Sequence, residues 1–110
     1  MNKTIKLWGV TSEIFTNDSV SIHRIEIIKE QKCSKHFHEY KYNMFFVETG
    51  KIIVHRWEED TIISSVLKEE ESLVISPRVW HQFEAIEDSI VYEIYYTKLE
   101  NNDIIRIDNT

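Results

Sequence analysis

The sequence predicts an all-β protein, either a sandwich or a barrel, and three observations support this prediction. Short runs rich in Ile, Val, Phe and Tyr recur along the chain, with charged or Asn/Asp turns between them. In several runs apolar and polar residues alternate, which is the period of a half-buried strand. The best helix candidate is the Glu-rich stretch Lys68–Glu71, which is too short to matter and is typical of a solvated turn.

Eight strands are predicted from these runs. In chain order they are Ser19–Lys29 (SVSIHRIEIIK), Tyr42–Glu48 (YNMFFVE), Lys51–Trp57 (KIIVHRW), Thr61–Leu67 (TIISSVL), Ser72–Ser76 (SLVIS), Trp80–Ala85 (WHQFEA), Ser89–Thr97 (SIVYEIYYT) and Asp103–Ile107 (DIIRI). Turns are predicted at Thr49-Gly50, Glu58–Asp60, Lys68–Glu71 and Glu87-Asp88. Short strands at this spacing, without helices between them, are typical of sandwiches and barrels.

Composition limits the size, location and partners of the protein. The 110 residues suffice for one domain with one core, and 42% apolar with 29% charged residues is ordinary for a folded chain. A net charge of −6 without a basic stripe argues against nucleic-acid binding. The start lacks the apolar core of a signal peptide and no run approaches membrane-spanning length, so we expect a cytoplasmic protein without membrane contact. Cys33 is the only cysteine, which predicts a semi-buried thiol and no intrachain disulfide.

Three histidines are the strongest candidates for a functional site. Residues two apart in an extended chain share a face, so His36 and His38 point the same way. His81 shares its face with the apolar Phe83 and Ala85 and is therefore predicted to point inward. Three inward imidazoles could converge on one divalent ion such as zinc, nickel, manganese or iron, each giving one ring nitrogen. The alternative is a pair of imidazoles on a hydrated sheet edge.

Glu93 and Lys41 are the candidate catalytic residues. Glu93 stands within the apolar strand Ser89–Thr97, where a carboxylate is seldom placed without a partner, so it is a candidate general base. The alternative is that Glu93 faces solvent on the outer side of the sandwich. Lys41 could bind a hydroxyl or phosphate as a point charge, and the alternative is a solvated lysine. His23 and His55 are interpreted as solvated or cross-strand histidines.

The spacing of these residues resembles the two motifs of the cupin superfamily. The first cupin motif is HxH, three or four residues, Glu, six residues and Gly; here His36-Phe37-His38 is followed at those spacings by Asn43 and Gly50. The second motif, Pro-x-Gly-x-x-His, resembles the segment 76–81 (SPRVWH), which has its proline one position later and lacks the glycine.

The resemblance implies a double-stranded β-helix, the cupin jelly roll, as a single domain over residues 1–110. The metal-site motifs would lie at residues 36–50 and 76–85. It also implies a set of four metal ligands, in which Asn43 stands at the place of the family's metal-binding glutamate. These ligands are His36, His38, Asn43 and His81.

A narrower likeness covers nearly the whole chain. The sequence is similar to the cupin domain of type II mannose-6-phosphate isomerases and to small sugar-phosphate cupins in its opening, in the segments before the first histidine and in its closing segment. The matching pieces are Trp8-Gly9, Glu13, His23-Arg24-Ile25, Cys33-Ser34 and LENNDIIRIDN at residues 99–109. Lys41 stands where the metal motif of cupin D-lyxose isomerases carries a lysine. The sequence departs from the mannose-6-phosphate isomerases at Glu39, where they have Arg, and it lacks their terminal Tyr-Gly-Arg.

This likeness implies a metal-binding cupin of carbohydrate metabolism, a sugar or sugar-phosphate isomerase-like protein. In such a reaction a divalent metal polarises the carbonyl while a side chain carries a proton between adjacent carbons. Two alternatives stay open: a non-catalytic cupin that binds a sugar or metabolite, and a metal-free sugar epimerase or ketoisomerase in which a histidine is the base. By analogy with cupins of this size, which commonly pair through their N-terminal strands, a homodimer is expected.

Overall fold

Two antiparallel sheets built from nine strands make up the computed structural model, which describes residues 1–97 and 105–107. The strands are β1 Lys3–Lys6, β2 Gly9–Thr16, β3 Val20–Ile27, β4 Tyr42–Thr49, β5 Ile52–Glu58, β6 Thr61–Leu67, β7 Ser72–Ile75, β8 Trp80–Ala85 and β9 Ser89–Tyr96. One sheet has the strand order β1-β2-β3-β9-β4-β7 and the other β6-β5-β8. The described residues include no helix that could cross a membrane. The chain is therefore all-β, as predicted.

Strands β3 to β9 confirm seven predicted strands, with ends shifted by at most two residues. The predicted strand Asp103–Ile107 begins outside the described residues, and its described part, residues 105–107, lies in no strand. Strands β1 and β2 were not predicted. All four residues of β1 are exposed, and the only buried residues of β2 are Gly9 and Ser12, so neither strand carries an apolar alternation.

The core lies between the inner faces of the two sheets. Phe45 and Val47 on β4 and Val54 on β5 are fully buried, and Phe83 on β8 is 2% exposed. The rings of Phe45 and Phe83 meet edge to face across the two sheets, with centroids 6.1 Å apart. Burying each of these side chains contributes about 1.5–3 kcal/mol. The same inner faces carry Asn43 and His81, which places both polar side chains inside the sandwich.

Two left-handed backbone positions shape the motif segments. Gly50 has φ +92°, and a Cβ there would lie 2.3 Å from the hydroxyl oxygen of Ser89, so only glycine fits this turn. Arg78 has φ 66° and stands where the second cupin motif carries its glycine. The Arg78 N–H donates to the carbonyl oxygen of His38 at 2.7 Å. The turn geometry is thus kept at residue 78, although a non-glycine residue adopts it at a steric cost.

Candidate metal centre

Backbone pairing between the two motifs brings the three histidines together. The segment before β4 runs beside β8, and His36 and His81 form an antiparallel bridge there. The His36 N–H donates to the His81 carbonyl at 3.0 Å, and the His81 N–H donates to the His36 carbonyl at 2.8 Å. Directly opposed residues point to the same side, so the two imidazole centroids lie 4.5 Å apart. The ring of His38 lies 5.2 Å from that of His36 and 5.5 Å from that of His81.

Hydrogen bonds to backbone carbonyls determine which ring nitrogens of His36 and His81 are available. The Nδ1 atom of His36 lies 2.8 Å from the carbonyl oxygen of Ser34, and that of His81 lies 2.8 Å from the carbonyl oxygen of Val79. Because a carbonyl oxygen only accepts, each Nδ1 carries a hydrogen, so in the neutral tautomer each Nε2 has the lone pair. Carbonyl partners of this kind orient metal-ligating histidines in proteins.

The donor atoms fit a three-histidine ion site. One ligand nitrogen from each of His36, His38 and His81 lies within 4.8 Å of the other two. Nitrogens bound to one tetrahedral ion by bonds of about 2.1 Å lie about 3.4 Å apart, so a closure of up to about 1.4 Å would place all three around one ion. The Nε2 atom of His38 is buried and has no hydrogen-bond partner in the part of the chain that the structure describes. A buried nitrogen without a partner is costly, and a metal ion would supply one.

Two of the imidazoles are held neutral. Burial lowers the pKa of His38 to about 4, and a proton on the neighbouring ring of His36 or His81 would act in the same direction. Burial also lowers the pKa of His81, although its hydrogen bond to the Val79 carbonyl opposes this effect. Neutral imidazole is the form that binds a metal, so both rings are ready to coordinate at pH 7 without releasing a proton.

Asn43 lies next to the three histidines on the inner face of β4. Its side chain is fully buried, and its Nδ2 atom lies 3.3 Å from Nε2 of His81 and 3.3 Å from Oε2 of Glu93. In this orientation the amide donates to the imidazole lone pair. The amide oxygen Oδ1 is buried without a partner among the described residues, and a half-turn of the amide group would bring it towards His81. The structure therefore places Asn43 beside the site, with its amide N–H₂ group facing the ring.

Glu93 lies on the inner face of β9, so the interpretation that it faces solvent is wrong. It is 6% exposed and is the cross-strand neighbour of His23 on β3 and of Phe45 on β4. The hydroxyl group of Tyr95 and the amide of Asn43 both donate to Oε2 of Glu93. Burial raises the pKa of Glu93, and the hydrogen bonds from Tyr95 and Asn43 partly offset the rise.

A cavity of about 400 Å³, here called the inner cavity, lies beside His36, Glu93 and Tyr95. It is lined by Thr4, Lys6, Trp8, Thr11, His23, Cys33, Ser34, His36, Phe83, Glu93 and Tyr95. Polar groups and two aromatic walls, Trp8 and Phe83, suit a small hydroxylated ligand. A larger cavity of about 570 Å³ lies beside β1 and β2 and is lined by none of the histidines, so the inner cavity is the candidate ligand site.

Lys41 lies apart from the inner cavity. It is exposed and lines a small cavity of about 120 Å³ beside β3, which shares only Tyr95 with the inner cavity. The cation that lines the inner cavity is Lys6 on β1. Because β1 shows no apolar period, the sequence offered no signal for Lys6 beyond its position near Trp8-Gly9.

His23 and His55 are both cross-strand residues. His55 lies on the outer face of β5, with Nδ1 2.7 Å from the hydroxyl of Ser64 and Nε2 3.1 Å from a carboxylate oxygen of Glu84. This agrees with its interpretation as a cross-strand histidine. His23 lies opposite Glu93 and also lines the inner cavity. The signal for this position was its face: His23 and Ile25 share a side of β3, and Ile25 is fully buried.

The comparisons with known proteins match the fold but not the sequence. No protein-family profile and no curated protein matches the chain. KdgF from a Halomonas species has a TM-score of 0.76 and 15% identity, over 90% of each chain. An RmlC-like cupin from Shewanella frigidimarina has a TM-score of 0.74 and 18% identity, over 90% of this chain and 85% of that one. The iron(II) form of HppE has a TM-score of 0.72 and 12% identity, over 86% of this chain and 55% of that one.

These similarities lie at low identity, so they establish architecture rather than activity. The two sheets, the bridge between the motif segments and the inward histidines agree with the implied double-stranded β-helix. The likeness to mannose-6-phosphate isomerases in particular is not among the structural matches described above. The chain has the cupin fold.

Proposed function

We propose that the protein is a metal-binding cupin that isomerises a small sugar or sugar phosphate. The observation that carries the proposal is the convergence of His36, His38 and His81 beside a cavity that also holds the buried carboxylate of Glu93. A first-row divalent ion, zinc, nickel, manganese or iron, suits three imidazole ligands. The similarity to HppE, whose solved form carries iron(II), supports such an ion on this fold.

In this reaction Glu93 would transfer the proton and Tyr95 would orient Glu93. A bound ion would polarise the substrate carbonyl and stabilise the enediolate. The Glu93 carboxylate would take the proton from the carbon next to the carbonyl and return it to the former carbonyl carbon, while the hydroxyl proton of the first carbon passes to the former carbonyl oxygen, so no proton is gained or lost. Burial raises the pKa of Glu93, which strengthens its ionised form as a base. Tyr95 orients this carboxylate through its hydroxyl hydrogen bond.

The substrate class follows from the resemblance to sugar-phosphate cupins and from the lining of the inner cavity. Hydroxyl-bearing Thr4 and Thr11, together with the aromatic wall of Trp8, suit the alternating polar and apolar faces of a sugar. A phosphate would need a cation. Lys41 is the residue first predicted for that contact, and Lys6 is the cation on the inner cavity.

A second function is a cupin that binds a sugar or metabolite without chemistry. It is favoured by Asn43, which brings no negative charge to the site and donates its amide to the ring of His81. The hydrogen bond satisfies a ligand nitrogen without any metal, which also suits a metal-free epimerase or ketoisomerase with a histidine as base.

One experiment separates these functions. The chain, purified without a histidine tag, is given a panel of aldoses, ketoses and their phosphates, with and without a chelator. If the protein is an isomerase, turnover is lost in chelator and in the His38→Ala variant. The Glu93→Gln variant then still binds the metal but has no turnover. Binding without turnover indicates the binding module. Turnover that survives chelator contradicts the metal-dependent mechanism and indicates the metal-free enzyme.

We also propose a cytoplasmic homodimer. Among residues 1–97 and 105–107, strand β1 lies at the edge of its sheet with all four residues exposed, and the adjacent Leu7 is 97% exposed. An unpaired edge flanked by an exposed apolar side chain is a surface that a second copy can cover. Light scattering on a size-exclusion column measures the mass, and a monomer at all concentrations contradicts the dimer.

A further inference from the structure

The outer face of β5 and β8 carries a cluster of aromatic side chains directly behind the histidines. Trp57 and Trp80 are cross-strand partners on these two strands. The ring of Phe37 packs on Trp80 with centroids 4.6 Å apart at 61°. The ammonium group of Lys35 lies 4.2 Å from the centroid of Trp57 and 5.7 Å from that of Trp80. We call these four residues the outer clamp.

Three of the four residues of the outer clamp are chain neighbours of a metal-ligand candidate. Lys35 and Phe37 flank His36, and Phe37 also precedes His38. Trp80 precedes His81 and points to the opposite face of β8, since Trp80 is 45% exposed and His81 is 1% exposed. Because neighbouring side chains of an extended chain point to opposite faces, Lys35, Phe37 and Trp80 lie on the outer face while the imidazoles next to them lie on the inner face.

The segment that carries His36 and His38 is not part of a continuous strand ladder. It belongs to no strand, and its pairing with β8 consists of isolated contacts such as the His36–His81 bridge and the hydrogen bond from the Cys33 N–H to the Phe83 carbonyl. Short, isolated pairings open more easily than a continuous ladder. Packing on the outer face would therefore add to the hydrogen bonds that tie the segment to β8 and to Arg78.

We propose that the outer clamp positions the imidazoles of His36 and His38 against His81 and so prepares the site for its ion. The inference rests on the proposed function only in assuming that the three rings bind an ion; the placement of the rings is argued from the structure alone. It also accounts for two aromatic side chains, Phe37 at 38% and Trp80 at 45% exposure, that stay at the surface rather than in the core. Lys35, Phe37, Trp57 and Trp80 touch no ligand in this proposal, so they are positioning residues.

The size of the effect follows from the contacts. An aromatic pair corresponds to about a twofold to tenfold change in an equilibrium constant. Partners that orient a ligating histidine typically change metal affinity about tenfold to a hundredfold. Loss of the Phe37–Trp80 contact should therefore weaken cobalt(II) binding by about tenfold and speed amide exchange at His36 by a similar factor.

The test compares Trp80→Ala and Phe37→Ala with the control Val66→Ala, which removes a 49% exposed side chain from the outer face of β6 away from the outer clamp. Hydrogen exchange of the His36 and His81 amides is measured in the metal-free chain. Cobalt(II) affinity is measured from the visible absorption of the bound ion. Both clamp variants should show faster exchange and weaker binding than Val66→Ala, and Trp80→Phe should restore both.

Equal exchange rates in the clamp and control variants overturn the inference, whatever the metal result. Failure of the unaltered chain to take up cobalt(II) overturns the metal site under the proposed function, and exchange then decides alone whether the outer clamp holds the imidazoles. Because Phe37 lies outside every strand, Phe37→Ala tests the contact even where Trp80→Ala disturbs β8.

Discussion

His36 and His81 bond to each other through both of their backbones, at 3.0 Å and 2.8 Å, and their rings lie 4.5 Å apart on the same side. This bridge, together with the hydrogen bond from the Arg78 N–H to the His38 carbonyl, joins the two motif segments, which are far apart in sequence. Because opposed residues in an antiparallel pair share a face, the backbone bond itself directs both imidazoles to one point. The candidate site is therefore set by pairing between two segments rather than by the turn within either one.

Replacing Asn43 by glutamate should tighten metal binding and weaken the metal-free fold. A carboxylate would supply the negative charge that the amide lacks, so cobalt(II) affinity should rise by about tenfold or more. Without metal, the new carboxylate would stand beside Glu93, which now lies 3.3 Å from the Asn43 amide, and should cost about 1 to 3 kcal/mol of unfolding free energy. Asn43→Gln is the control for length without charge. Equal affinities in the two variants would argue against Asn43 lying at the ion.

The stability of the metal-free chain should fall as the pH is lowered from 6.5 towards 4. The pKa of His38 is about 4 when folded, so below pH 6.5 the unfolded chain binds a proton that the folded chain does not. His81 acts in the same direction. In His38→Gln the slope of unfolding free energy against pH should be shallower over this range, as measured by urea unfolding in chelator. An unchanged slope would mean that His38 is not held neutral by the fold.

The Arg78→Gly variant should have a higher free energy of unfolding than the Arg78→Ala variant. A non-glycine residue at φ 66° costs about 1 kcal/mol or more, and glycine removes that cost. Both variants lose the exposed contact of 3.3 Å between the guanidinium of Arg78 and the carboxylate of Glu39, so their difference isolates the backbone. Thermal or urea unfolding measures it. Equal stabilities would show that the left-handed turn is not conserved in the variants.

Tyr95→Phe should lower the unfolding free energy by about 1 to 3 kcal/mol, since it removes a donor from a buried carboxylate. Tyr96→Phe, on the neighbouring position and the opposite face of β9, is the matched control, because Tyr96 stacks on Tyr42 rather than bonding to Glu93. Urea unfolding of the metal-free proteins compares them. Two similar losses would indicate that the hydroxyl of Tyr95 does not stabilise Glu93.

The parts of the fold that the sequence predicted are those with one apolar face. His81 shares its face with Phe83 and Ala85, and this alternation placed the imidazole inside correctly. The alternation in β9 could not decide the direction of Glu93, because both faces of SIVYEIYY carry apolar or aromatic residues. Only the pairing of β9 between β3 and β4 determines that Glu93 points inward.

The remaining wall of the inner cavity could not be predicted, for a different reason. Lys6 and Thr11 lie on β1 and β2, which are held by pairing at the edge of the sheet rather than by an apolar face of their own. A strand of this kind has no period-2 signature, so its residues are placed only when the whole sheet is assembled. The resemblance at Trp8-Gly9 drew attention to this segment but did not predict where its strands lie in the sheet.

Metal uptake by the untagged chain tests the central claim most directly. Cobalt(II) titration, followed by visible absorption and by elemental analysis after gel filtration, should give one ion per chain at micromolar concentrations, with binding lost in His81→Ala and kept in His55→Ala, whose ring lies on the outer face. No uptake by the unaltered chain, or equal loss in the two variants, would contradict a site built from His36, His38 and His81.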